Sequence, residues 1–276
     1  MNRKRRLSDF AIDLGLGLFG ILMLTPLVML VANAFKTPEE MLAWPPTLIP
    51  RDPTMENLRS VLADTPLLNW IGNSLAFALL STVAIVATSA IAGYIVAKFP
   101  FRTINLIFAL FLATAIVPFE VYMIPLYFQV KSLGLLNSVP GLLVGYLVMS
   151  FGIFLIRQNV IAAIPDELIE AARIDGGGEF WIFWHIVLPL LRGPLAALAV
   201  LAFFQAWTAF AWPMIVATKR AAYTIEVGLA LFQTGYTVDL GRLSAASACV
   251  LVPSVQAFVL LRRNFAQSVA ATGMKE

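Results

Sequence analysis

Six stretches of this chain run long enough to cross a lipid bilayer while carrying almost no charge: Phe10–Asn33, Trp70–Ala97, Ile104–Val130, Val139–Ile156, Leu195–Val216 and Leu243–Leu261. Even the weakest, Val139–Ile156, contains no charged residue. A hydrocarbon core about 30 Å thick needs roughly 20 apolar residues of helix. Lipid also forces every backbone N–H and C=O to find a partner inside the protein, so only helices and closed barrels can span it. The runs are continuously apolar instead of alternating over about ten residues, which excludes a barrel. The expected fold is an all-α membrane protein of six transmembrane helices, forming a single domain over residues 1–276.

Composition narrows the function classes. The chain is 60% hydrophobic and 13% charged, with a mean hydropathy of +0.85, whereas soluble domains carry about 25% charged residues. One cysteine, Cys249, forms no internal disulfide. One histidine, His185, has neither a cysteine nor a second histidine beside which to build a metal site. The net charge of +3 reflects basic flanks of apolar runs, and no lysine/arginine face interleaved with aromatics suggests nucleic acid. Neither a Gly-x-x-x-x-Gly-Lys-Ser/Thr phosphate loop nor a Gly-x-Ser-x-Gly nucleophile elbow occurs. The chain is expected to be no enzyme and to need no cofactor.

With six spans both termini share a side. The loops on the N-terminal side hold Arg3, Lys4, Arg5, Arg6, Lys98, Arg102, Arg157, Arg173, Arg192, Arg262, Arg263 and Lys275. The other side holds Lys36, Arg51, Arg59, Lys131, Lys219, Arg220 and Arg242. The excess of positive charge predicts that both termini are cytoplasmic. Arg3–Arg6 and Ala32-Asn33-Ala34 imitate a signal peptide, but the apolar run between them is too long for a cleaved h-region, so it is expected to stay as an anchor.

Two loops are long: residues 34–69, outside and rich in proline, and residues 157–194, inside. In the inner loop Pro165 suits a first helical turn, where its missing N–H costs nothing, and Asp166 and Glu167 complement the helix dipole. A short helix to Ile174 is expected to stop at Gly176-Gly177-Gly178. A second, Glu179 to Leu188, is expected to end at Pro189. Its Phe180, Trp181, Phe183 and Trp184 are too apolar to face water all round. The residues alone allow two readings. One is an interfacial loop with solvated acids. The other is a docking knob, with Ala171 and Ala172 small enough for close helix approach and Glu170 and Asp175 offering charge.

The pattern Glu170-Ala171-Ala172, Gly176, Ile186, Leu188-Pro189 resembles the EAA loop of membrane subunits of bacterial ABC importers. Asn73-Ser74-Leu75, Pro118-Phe119-Glu120-Val121, Ile124-Pro125-Leu126-Tyr127, Gly134-Leu135-Leu136-Asn137, Trp207, Trp212-Pro213 and Gly273-Met274-Lys275 resemble the carbohydrate-uptake branch, and within it the MalG-like permease. The resemblance implies a type I ABC importer permease fold in a bacterial inner (plasma) membrane. It implies that Glu170, Ala171, Ala172, Asp175 and Gly176 form a coupling helix seated on a separate ATPase subunit. The implied partners are a MalF-like second permease, two copies of that nucleotide-binding subunit and an extracytoplasmic solute-binding protein, with lipid around the spans.

Glu120 is the main acid inside a span and so a functional hypothesis. Pro118 and Pro125 are expected to break the helix on either side of it. The alternative is that Glu120 pairs with an outer lysine or a partner subunit. Gln205, Trp207 and Trp212, with Thr208 and Phe210, offer aromatic faces and hydrogen bonders suited to a sugar, or else an interfacial belt. Asn73 joins Glu120, Gln205, Trp207 and Trp212 in the expected pathway set. The family often carries Asn and an acid after the first tryptophan, where this chain has Thr208 and Ala209. The resemblance also implies that the outer loop 217–241, with Gln233 and Tyr236, meets the binding protein. The expected function is a permease subunit importing a sugar or oligosaccharide. A glycerol-phosphate or polyol permease is the alternative, and an ion-coupled transporter, for which Glu120 is thin support, a further one.

Overall fold

The computed structural model describes the backbone of residues 3–233 and 238–273, and the side chains of residues 12–233, 238–256 and 259. In chain order the helices are α1 (Arg3–Asn33), α2 (Pro38–Met41), α3 (Glu56–Asp64), α4 (Leu67–Lys98), α5 (Ile104–Ile116), α6 (Phe119–Ser132), α7 (Val139–Leu143), α8 (Ser150–Ala163), α9 (Asp166–Ile174), α10 (Glu179–Ile182), α11 (Leu188–Leu190), α12 (Arg192–Trp207), α13 (Ala211–Val216), α14 (Ile225–Ala230) and α15 (Leu240–Gly273). Among the described residues no strand occurs, only an isolated bridge between Gln233 and Val238.

The apolar runs are helical, but three of the six are not single rods. Among the described residues, Ile12–Asn33 and Leu67–Lys98 are each a single helix long and apolar enough to cross a membrane, and counting each bent pair as one span raises that number to at most five. The pair α5–α6 bends by 98° at Val117-Pro118 and the pair α7–α8 by 54° at Leu147–Met149. The segment leading from α10 through α11 bends by 78° into α12. The expected run Leu195–Val216 starts earlier, at Arg192, and is interrupted between Trp207 and Ala211. The last run, Leu243–Leu261, falls within α15.

Proline explains part of this. Pro118 stands as N-cap to α6 with extended ψ, which ends α5, because the residue before a proline is driven out of the helical region. Pro125, expected to break the helix, lies inside α6. Pro189 does not end the second loop helix either. A π-helical turn, Phe183–Val187, precedes it, and the helix runs on to Leu190. A widened turn gives room for the proline ring, which would otherwise clash with the carbonyl four residues back.

The chain divides into two units. In the first, Met1–Leu67 with Leu229–Ser254, no described residue of α1 is buried. The proline-rich segment after it is ordered by polar staples. The buried Lys36 ammonium donates to Asn33 Oδ1 at 2.9 Å and to the Thr47 carbonyl. Asn57 Nδ2 donates to the carbonyls of Ala34 (3.2 Å) and Lys36 (2.9 Å). Glu40 Oε1 accepts from the Thr47 hydroxyl at 2.7 Å and from Arg51 N at 3.0 Å. The Thr47 hydroxyl, ahead of the Arg51 and Asp52 backbone and Lys36, holds the Glu40 carboxyl below its ordinary range. Arg242 bridges Asp64 at 3.2 Å and Asp239 at 3.5 Å.

The second unit, Leu68–Gly228 with Val255–Glu276, holds the larger core. Buried Ile85 and Tyr94 of α4, Ile156 and Val160 of α8, Ile169 and Ala172 of α9, and Leu198 and Ala202 of α12 pack with Ile182 and Val187. Helices approach closely at glycine: a Cβ on Gly93 would lie 2.8 Å from Ile156 Cγ2, and one on Gly152 would meet Ser89 Oγ. At the other end of α4, Trp70 Nε1 donates to the Arg220 carbonyl at 2.7 Å, and Ser74 Oγ accepts from Ile225 N at 2.8 Å.

Asn137 ties this end together from a left-handed backbone, φ 59°. Its Oδ1 accepts from Thr218 N (2.7 Å), Lys219 N (2.8 Å) and Thr218 Oγ1 (3.1 Å), and its N–H donates to the Val216 carbonyl at 3.1 Å. Asparagine tolerates this conformation better than most residues. Asn137→Ala leaves two backbone donors without their acceptor and strains the backbone, and is expected to cost about 2–3 kcal/mol. Thermal unfolding in detergent checks this: the midpoint falls by several degrees, and Asn137→Gly, which relieves only the backbone, recovers part of it.

Candidate functional site

The exposed polar element of the second unit is α9. Its start follows Pro165 in extended conformation, with Asp166 and Glu167 in the first turn. Its end is a glycine stop in full: Gly176, at φ +85°, donates to the Arg173 carbonyl at 3.1 Å, and Gly177 donates to the Ala172 carbonyl at 2.8 Å. These two reversed bonds satisfy carbonyls that the helix end would otherwise leave open. Ile169 and Ala172 point into the core, while Leu168, Glu170, Ala171, Arg173, Ile174 and Asp175 are exposed. The alanine pair therefore splits. Ala172 seats the helix on its own chain, and Ala171 faces outward.

Ala171, Ala172, Asp175 and Gly176 line a groove of roughly 460 Å³ with Leu168 and Trp181, and Glu170 stands outside it. Ile174, 86% exposed, gives α9 an apolar tip that nothing in its unit covers. The following aromatics stay largely open: Phe180, Trp181 and Trp184 are exposed, and Trp181 stacks on His185 with centroids 4.7 Å apart.

Two polar pegs hold α9 to the end of α4, and composition alone did not single them out. Lys98, whose side chain is 7% exposed, pairs with the Asp166 carboxylate and donates to the Ile164 carbonyl at 2.6 Å. Glu179 accepts from Arg173 Nε at 2.7 Å and from the Tyr94 hydroxyl at 3.2 Å. The Glu179 bond raises Arg173 above its ordinary range. Charge-assisted bonds of this kind contribute more than neutral ones, roughly 1.5–3 kcal/mol where shielded and less where exposed. They turn a nine-residue helix into an arm fixed to a membrane-length one. The available signal was modest: a lysine in the last turn of an apolar helix and an acid directly after Pro165.

The expected pathway residues divide into two groups. Glu120, Gln205 and Trp212 line one cavity of about 550 Å³ with Tyr122, Tyr146 and Thr208. The bend at Pro118 puts Glu120 in the first turn of α6, and the interruption after Trp207 opens the wall opposite. Trp212 is also an anchor, 1% exposed, donating Nε1–H to the Leu142 carbonyl at 2.9 Å and meeting Phe119 edge-on. The other two residues lie elsewhere. Trp207 is buried and stacks on Phe203 at 5.8 Å. Asn73 donates to the carbonyls of Ala221 (2.9 Å) and Tyr223 (3.0 Å), which makes it a loop clamp. An aromatic or amide at a span end can face either way, and the sequence does not say which. Gln233 is exposed in the first unit, and Tyr236 lies outside the described residues.

Residues 89–270, which include α8, all of α9 and the cavity walls from α6 to α13, match the family described as binding-protein-dependent transport system inner membrane component. The chain belongs to this family. As such it is a multi-pass membrane permease and the non-catalytic subunit of an ABC importer, a system that also comprises a second permease, an ATPase and a solute-binding protein.

The permease is 31% identical over 278 residues to the arabinooligosaccharides transport system permease protein AraQ of Halalkalibacterium halodurans, covering 99% of each chain. It is 28% identical to the diacetylchitobiose uptake system permease protein NgcG of Streptomyces coelicolor, over 92% of this chain and 84% of that one. It is 31% identical to the sn-glycerol-3-phosphate transport system permease protein UgpE of Yersinia pestis bv. Antiqua, over 98% of each. A crystal structure of a bacterial ABC transporter involved in the import of the acidic polysaccharide alginate contains a chain of the same fold, with a TM-score of 0.77 and 20% identity over 95% of this chain and 98% of that one.

Proposed function

We propose that this permease forms half of a six-span-per-subunit pathway for a sugar or oligosaccharide, with α9 as the coupling helix and both termini cytoplasmic. The observation that carries the coupling role is the pegged geometry of α9. Ile169 and Ala172 root it in the core, Lys98 and Glu179 fix both its ends, and Glu170, Ala171 and Ile174 are left exposed for a partner. A partner that moves this face moves α4 with it, which is what transmission of an ATPase stroke requires.

The sugar assignment rests on the relatives that carry oligosaccharides and on a cavity with aromatic faces beside Glu120, Gln205 and Thr208. Glycerol phosphate is the second reading, favoured by an equally similar relative. In the proposed assembly the other half of the pathway is an unlike, MalF-like permease, two ATPase subunits sit on the α9 side, and the segment containing Gln233 and Tyr236 faces the binding protein.

The test is co-purification from the native membrane. Glu170→Lys is expected to reduce the recovered ATPase subunit and solute uptake at least tenfold while the second permease stays bound. Full ATPase recovery and full uptake with Glu170→Lys, and again with residues 168–176 replaced by a glycine-serine linker, would falsify the coupling role.

A further inference from the structure

The cavity between α5, α6, α8, α12 and α13 has a charge pattern that the proposed function leaves unused. Its polar lining comprises Glu120, Gln205, hydroxyl residues and tyrosines, and among its described residues there is one carboxylate and no lysine, arginine or histidine. Among the described residues no ion pair is made to Glu120. Lys131, on the same helix, lies roughly 16 Å further along at 1.5 Å per residue, and the Arg157 guanidinium sits over the Phe108 ring at 4.3 Å. The carboxylate stands in the first turn of α6, whose N-terminus carries about half a positive charge, so a net negative charge remains. Low-dielectric walls such as Phe119 and Trp212 focus a field of this kind on whatever enters.

We propose that Glu120 makes this cavity a charge filter, which admits uncharged polyhydroxy solutes and turns away anionic ones such as phosphate esters or uronates. The inference rests on the pathway proposed above and assigns Glu120 as its specificity-determining residue. Gln205 and the hydroxyls are left to hydrogen-bond a neutral solute, and the aromatic walls to cover its apolar faces.

The test reads the potential directly and needs no known solute. In the transporter co-purified with its partners, Cys249→Ser removes the single thiol of this chain, Gln205→Cys places one in the cavity, and labelling is read on this chain alone after the subunits are separated. Its reaction rates with a trimethylammonium and with a sulfonate methanethiosulfonate are measured and normalised to a free thiol. The cationic reagent is expected to be favoured by on the order of tenfold. Glu120→Gln is expected to bring the ratio to within about twofold of the free thiol, and Glu120→Asp to preserve it. A ratio unmoved by Glu120→Gln, or one favouring the sulfonate, overturns the filter while leaving the pathway standing. If neither reagent reaches Gln205→Cys while the exposed control Asp52→Cys reacts with both, the cavity is closed to aqueous solutes and the pathway falls as well.

Discussion

Gly176→Val is expected to cut uptake at least tenfold while the permease is still made and inserted. At φ +85° a β-branched residue clashes with its own backbone, at a cost of roughly 1–2 kcal/mol or more. The chain has two ways out. It can hold the strained stop, or it can let α9 wind on past Asp175 and lose the bonds from Gly176 and Gly177 to the Arg173 and Ala172 carbonyls. Winding on also swings Glu179 away from Arg173 and Tyr94, which releases one of the two pegs. Either route disturbs the exposed face of α9 without touching the membrane core, so loss of coupling should exceed loss of stability. Gly176→Asn is the control, because asparagine tolerates the left-handed region, and it should keep uptake within about twofold of the parent. Equal uptake by the valine variant and the parent would show that the stop is not needed for coupling.

Gly228→Ala adds one methyl group and is expected to be among the most destabilising single changes in the chain. The new Cβ would overlap the six-membered part of the Trp70 ring, well inside van der Waals contact. The ring has nowhere to go. Trp70 is fully buried, and its Nε1–H is committed to the Arg220 carbonyl at 2.7 Å. The start of α14 is equally held, since Ile225 N donates to the buried Ser74 hydroxyl. Overpacking at so rigid a site is expected to cost about 3 kcal/mol, which lowers the unfolding midpoint in detergent by roughly 6–12 °C for a chain of this size. Because the two residues touch, the effects should not add: in a Trp70→Leu background the alanine should cost less than half as much. An unchanged midpoint in the Trp70 background would show that the Gly228–Trp70 approach is not a real constraint.

The features legible in the sequence share a physical property, which is that their causes are local. Pro165, the two acids after it and the three glycines define the ends of α9 through backbone rules that operate within a few residues. Pro118 marked the bend before α6 for the same reason. Other breaks carry no such signal. Leu147–Met149 and the residues after Trp207 contain neither glycine nor proline, yet both segments turn. At Pro125 and Pro189 the signal was present and misleading: α6 runs on through the first, and a π turn accommodates the second. The site residues divide along the same line. Glu120 stood out as an acid in an apolar run, but Gln205 and Trp212 are far from it in sequence and meet it only because two broken helices face each other. Trp207, five residues before Trp212, is turned inward, and Asn73 is spent on a loop.

The sequence by itself therefore determined the helical membrane class and the ends of α9. Apolar runs in lipid must satisfy their own backbone, and caps act at short range. Only the tertiary structure decided where the spans bend, that Lys98 and Glu179 hold α9 to α4, and that Glu120 shares a cavity with Gln205 and Trp212 and, among the described residues, with no cation. Those outcomes depend on which surfaces close-pack across long sequence separations, and the local pattern of a chain does not encode them one residue at a time.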